Sequence, residues 1–166
     1  MIRRMLLSLP VALVIGFSAQ VAGQENKIPD QAGEILKKAT QFELLSIGHG
    51  PSRMNPTEDF HRWPVIGKTT VKDPDTRNRL VAALEKGVEE NKGDSMKCFN
   101  PRHGIRVTHN GLTADFVICF ECFQAVVYIA GEKEQRFLIT DSPASVFNQT
   151  LQHANVPLAR ELGKKK

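Results

Sequence analysis

Three cysteines hold most of the reactive chemistry of this 166-residue chain, and they lie close together in sequence. They sit in Cys98-Phe-Asn-Pro-Arg-His-Gly-Ile-Arg106 and in Asp115-Phe-Val-Ile-Cys-Phe-Glu-Cys122. Thiols in such a cluster can pair as a disulfide, stay reduced as small apolar fillers, bind a metal as thiolates, or exchange electrons. The leading reading is one structural disulfide, Cys98–Cys122 or Cys98–Cys119, with the third cysteine buried. Three reduced and packed thiols are the next reading.

A zinc site would use Cys98, His103, Cys119 and Cys122, the ligand types of a three-cysteine, one-histidine centre. Two points count against it. Cys119-x-x-Cys122 reads as the interior of a strand, where the two sulfurs point to opposite faces, and His103 faces Ile118 rather than the sulfurs. Thiol redox chemistry is the fourth reading. It favours a first cysteine at a helix N-terminus, where the thiolate is stabilised, and Glu121 beside a mid-strand cysteine works the other way.

The elements that must position these residues can be read from turn signals and periodicity. Asn110-Gly111 is a two-residue type I′ turn signal, because both positions need positive φ. Strands at Gly104–Thr108 and Leu112–Ala130 then pair so that Arg106 faces Asp115 and Ile105 faces Phe116. Arg102 falls opposite Cys119 and diagonal to Glu121. An acid in so apolar a strand needs a partner, so Arg102 and Glu121 are the candidate buried ion pair.

Elsewhere, Gln31–Ala39 has the spacing of a short helix and Phe42–Ile47 that of a first strand. Residues 48–59 read as loop. Trp63–Val71 is β-branched and apolar, a strand. Asp73-Pro74 opens a helix with Leu80, Val81, Leu84 and Val88 on its buried stripe and Gly93 at its end. Arg136–Thr140 is a further strand. Ser142-Pro143 opens a last helix with Val146, Phe147, Leu151 and Ala154 inward. The expected fold is α+β: an antiparallel sheet of about five strands with two to three helices packed on one face.

Composition sets the frame. Hydrophobic residues make up 41% of the chain, enough for a core. The net charge of +4 comes from 22 basic and 18 acidic residues. Residues 1–23 read as a secretory signal peptide: Arg3 and Arg4, then an apolar stretch of roughly 15 residues, with Val21 and Gly23 as the small residues before cleavage. That stretch is shorter than the roughly 20 residues a spanning helix needs, so no stable membrane anchor is expected after cleavage. Processing takes away two arginines and no acid, and the remaining balance does not favour nucleic acid. It also places the cysteines in an oxidising compartment, periplasmic or extracellular, where disulfides persist. Residues 24–30 form a polar leader, 31–160 a single domain and 161–166 a basic tail.

Other candidates have ordinary explanations. His49 sits in a Gly-Pro loop and reads as solvated, His61 flanks a strand start, and Trp63 reads as core. No nucleophile elbow, P-loop, His-Glu-x-x-His or dinucleotide fingerprint occurs, which leans against an enzyme. The two cysteine segments, with Phe42-Glu-Leu-Leu-Ser46 and Val156-Pro-Leu-Ala159, resemble an uncharacterised family of small signal-peptide-bearing exported bacterial proteins with a CFxPRHGIR…DxVICFEC core. The resemblance implies export and a single domain; it carries no catalytic residues and no cofactor. The function expected is a non-enzymatic binding or structural module with an unknown protein or small-molecule ligand. The alternative is a metal-binding or thiol-based site at Cys98, His103, Cys119 and Cys122.

Overall fold

The computed structural model describes residues 26–48 and 59–160. The signal segment, the basic tail and His49 lie outside the described residues. Helix α1 spans Asp30–Lys37, and strand β1, Gln41–Ile47, follows it. A short strand β2, Asp59–Phe60, turns into β3, Trp63–Thr70. Helix α2 covers Pro74–Glu90. Four strands come next, β4 (His103–His109), β5 (Leu112–Cys119), β6 (Gln124–Ile129) and β7 (Gln135–Leu138), and helix α3 (Ala144–His153) closes the order.

Among the described residues the sheet has seven strands in the order β2-β3-β1-β4-β5-β6-β7, all neighbours antiparallel. This corrects the expected five strands, although the class remains α+β. Both additional strands arise from turns that lack Gly, Asn or Pro. The segment Leu112–Ala130 is not one strand. It breaks at Phe120–Phe123, where Phe123 takes φ 56° and Cys122 N–H and Phe123 N–H donate to the carbonyls of Cys119 and Phe120. Strand β2 reverses through His61 and Arg62, at φ 51° and 69°, the backbone of a type I′ hairpin in residues that rarely adopt it. Asn110 and Gly111 form the expected turn, at φ 48° and 78°, and Arg106 pairs with Asp115 as the register requires.

The sheet curls. The β2–β3 hairpin starts at one edge, yet Phe60 reaches β4 and His61 stacks on Tyr128 of β6 with ring centroids 3.9 Å apart. Gly104 makes the first approach possible: a Cβ there would lie 2.8 Å from the Phe60 ring. The three helices cover one face. Ala32, Ile35 and Leu36 of α1, Leu80, Leu84 and Val88 of α2, and Phe147 and Leu151 of α3 pack on Phe42, Leu44, Ile105, Phe116, Ile118 and Val127. A smaller cluster on the opposite face joins Leu45, Ile47, Phe60 and Val117, with Trp63 and Phe99 partly buried against it.

A local signal fixes the start of α2. The Asp73 carboxylate accepts from Thr76 N–H at 2.8 Å, and Pro74 opens α2. The helix stops at Glu90, before Gly93. Asn91, buried, ends it and donates to the Ile139 carbonyl at 3.2 Å. Helix α3 departs from expectation. The Ser142 hydroxyl does not cap it but donates to Glu90 at 2.6 Å, tying α3 to the end of α2. Ala154 is exposed rather than inward. The leader is anchored: Asn26 accepts from Leu138 N–H at 2.7 Å and donates to the Val88 carbonyl at 3.0 Å.

Candidate functional site

The turn between β5 and β6 divides the chemistry of this chain between two faces. Strand β5 sends Ile118 toward the helices, as does Phe120 at the turn that follows, and it sends Val117 and Cys119 to the opposite side. Because the chain reverses at Phe120–Phe123, Cys122 returns beside Cys119 and the two are disulfide-bonded. This overturns the expectation that a mid-strand Cys-x-x-Cys keeps its sulfurs apart. The bond also falls elsewhere than on Cys98, which is an exposed thiol. Cys98 is nevertheless held close, its Sγ 3.2 Å from Cys122 Sγ. Met96 N–H donates to the Cys122 carbonyl and Asn100 N–H to Cys122 Sγ, so the irregular segment before β4 straddles the bridge.

His103 belongs to the other side. Its ring packs on Phe120 and Phe147, and its Nε2 donates to Asn148 Oδ1 on α3 at 2.8 Å. Burial lowers its pKa to about 4, against the hydrogen bond it donates to Asn148, so the imidazole is neutral at neutral pH. The structure therefore gathers Cys98, Cys119 and Cys122 but sets His103 across the sheet from them. Among the described residues no group of three His, Cys, Asp or Glu side chains has the arrangement of a metal site.

Arg102 reaches the Glu121 carboxylate, Nη2 to Oε2 at 2.5 Å. The arginine side chain is 11% exposed and the glutamate 54%, so the pair is an enclosed cation meeting a solvated acid. Arg102 Nε is buried without a partner. Beside it lies a cavity of about 260 Å³ between the β5–β6 turn and α3, walled by Arg102, His103, Phe120, Glu121, Asp141 and Asn148. Phe120 and Glu121 are the two residues inside the disulfide loop, so the bridge fixes one wall of the cavity.

A second polar cluster lies on the face opposite the helices, and only part of it was legible in the sequence. Asp115 accepts two hydrogen bonds from Arg106, at 2.8 and 2.7 Å, and a third contact from His61 Nε2 at 2.7 Å. Burial raises the Asp115 carboxyl pKa, but Arg106 and His61 outweigh it and hold it below the usual range. Arg106 also lies 5.2 Å over the Phe60 ring. The Arg106–Asp115 half followed from strand register; His61 came only with the curl of the β2–β3 hairpin.

The fold and these two faces define a seven-stranded α+β protein with a bridged hairpin turn. No family model matches the chain, and no curated protein matches it. Among solved structures it is similar to one described as "Crystal Structure of Putative Lipoprotein from Clostridium perfringens". The two share 12% identity and a TM-score of 0.41, over 75% of this chain and 88% of that one. No helix among the described residues is long and apolar enough to cross a membrane.

Proposed function

We propose that this chain is an exported binding module, and that its ligand occupies the cavity between Arg102, His103 and α3. Support for export comes from the sequence, in the apolar, charge-free segment after Arg3 and Arg4 and in the small residues before position 24. The observation that carries the binding site is Arg102. Its guanidinium borders the cavity, one terminal nitrogen is engaged by Glu121, and Nε is buried without an acceptor. An unsatisfied buried donor costs about 1–3 kcal/mol, which a ligand acceptor would offset.

The surrounding groups narrow the ligand. Glu121 and Asp141 put two carboxylates beside one guanidinium, so a dianion is disfavoured. The neutral His103, already bonded to Asn148, adds no charge. A small polar molecule with one acceptor for Arg102 and an N–H donor for Asp141 fits best, the chemistry of an amino acid or a peptide end. Apolar contact comes from Phe120 and Ala144.

NMR titration with glycine, alanine and dialanine tests this. The Arg102 Nε–H and Asn148 side-chain resonances should shift saturably with at least one of them, and Arg102→Met should abolish the effect while the fold is retained. Resonances unmoved by all three would sink the proposal.

A further inference from the structure

The cavity leaves the three sulfurs on the opposite face unused, and their geometry points to a site of its own. We propose that Cys98, Cys119 and Cys122 form a thiol–disulfide exchange relay that carries the buried bridge to the surface and oxidises a dithiol substrate there. The relay is independent of the cavity reading.

The bridge itself is shielded, since Cys119 and Cys122 are each 1% exposed. A solvent thiol has no direct approach to either sulfur. Cys98 is exposed and its Sγ is 3.2 Å from that of Cys122, within contact distance for attack. The position is held rather than incidental. Backbone bonds from Met96 and Asn100 fix both sides of Cys98 to Cys122, and Gln124 Nε2 donates to the Met96 carbonyl. Phe99 is seated edge-on against Trp63 with the Arg136 guanidinium over its ring.

The internal step needs no co-reactant. Cys98 gives its proton to solvent and its Sγ attacks Cys122 Sγ. The Cys98–Cys122 bond forms as the Cys119–Cys122 bond breaks, and the electron pair leaves on Cys119, which takes up a proton. One disulfide and one thiol stand on each side of the exchange. In the exchanged form one bridge sulfur belongs to an exposed residue. A thiolate of the substrate dithiol attacks Cys98, forming a mixed disulfide, and Cys122 departs as thiolate. The Asn100 N–H, 3.3 Å from Cys122 Sγ, favours that leaving group by donating to the charge. The second substrate thiol then displaces Cys98. The substrate ends as a disulfide, and the protein holds three thiols after taking up two electrons and two protons.

Two measurements on the full mature chain test the relay, with dithiothreitol as the dithiol. The first is the rate of bridge reduction at pH 8, followed by quenched alkylation and mass mapping. Cys98→Ser, an exposed substitution, should be reduced at least about ten-fold more slowly than wild type, because only the shielded bridge remains to be attacked. Capping Cys98 with iodoacetamide in the wild-type protein should have the same effect. The second measurement is the bridge formed by Cys119→Ser on oxidation: a Cys98–Cys122 disulfide with no free thiol is expected. Equal reduction rates for wild type and Cys98→Ser, or two free thiols in oxidised and folded Cys119→Ser, would overturn the proposal.

Discussion

His103 and Asp115 show how one residue's surroundings set its charge. His103 lies between two phenylalanine rings with one hydrogen-bond partner, and burial depresses its pKa to about 4. In the unfolded chain it titrates near 6.5. Its contribution to stability is therefore full above about pH 6.5 and is lost as pH falls toward 4, a loss on the order of 3 kcal/mol. Urea unfolding at pH 7, 5.5 and 4 should show this slope, and His103→Gln should flatten it. Asp115 is 9% exposed and serves two partners, whereas Arg106 is 46% exposed. Asp115→Ala should cost about 1–3 kcal/mol by leaving its donors without an acceptor, and Arg106→Ala less, as both thermal melts will report. The Arg102–Glu121 pair was expected to be buried from strand alternation. With Glu121 half in solvent, Arg102→Ala should cost roughly 1 kcal/mol or less in a melt, beyond any loss of packing.

Close approaches between elements rest on two glycines. Gly87 of α2 faces the start of α3, and a Cβ there would lie 2.6 Å from Pro143 Cγ and 2.9 Å from Ile139. Gly87→Ala should push the helices apart and lower stability by about 1–3 kcal/mol in chemical denaturation. Gly104 admits the Phe60 ring onto the sheet. Gly104→Ala should therefore destabilise wild type by more than it destabilises a Phe60→Ala background, a coupling that a double-mutant cycle measures. Much of this level was legible in the chain. Asp73-Pro74 and Asn110-Gly111 are strong local signals, and the apolar periods of α1 and α2 match their buried faces. The turns at His61-Arg62 and Phe120–Phe123 were not legible, because no residue in them prefers positive φ. Tertiary contacts hold them there: the His61 stack on Tyr128 at one, the Cys119–Cys122 bridge at the other. Ser142-Pro143 misled for a related reason, since Glu90 offers its hydroxyl a charged acceptor.

At the scale of the molecule, the β5–β6 turn links the two proposed sites. Its outer cysteines meet Cys98 on one face, and its inner residues, Phe120 and Glu121, wall the cavity on the other. Closing so short a loop restricts the unfolded chain only modestly, by about 2 kcal/mol in the chain-entropy picture. Reduction should therefore lower the unfolding midpoint without unfolding the domain at neutral pH. Circular dichroism with and without dithiothreitol checks this. If the turn then relaxes, Glu121 leaves Arg102, and the affinity of the cavity for its ligand becomes sensitive to the state of the bridge.

The sequence by itself determined the α+β class, three helices, the Arg106–Asp115 register and the clustering of three cysteines. Each follows from neighbours in the chain: caps, apolar periods and a two-residue turn whose register propagates along paired strands. The separation of His103 from the sulfurs was already in the hairpin register. The curl of the sheet, its two additional strands and the pairing of Cys119 with Cys122 were decided by the tertiary structure. They depend on which face a side chain meets after the chain reverses. One unsignalled turn after Cys119 is enough to change that face for the strand that follows it, β6.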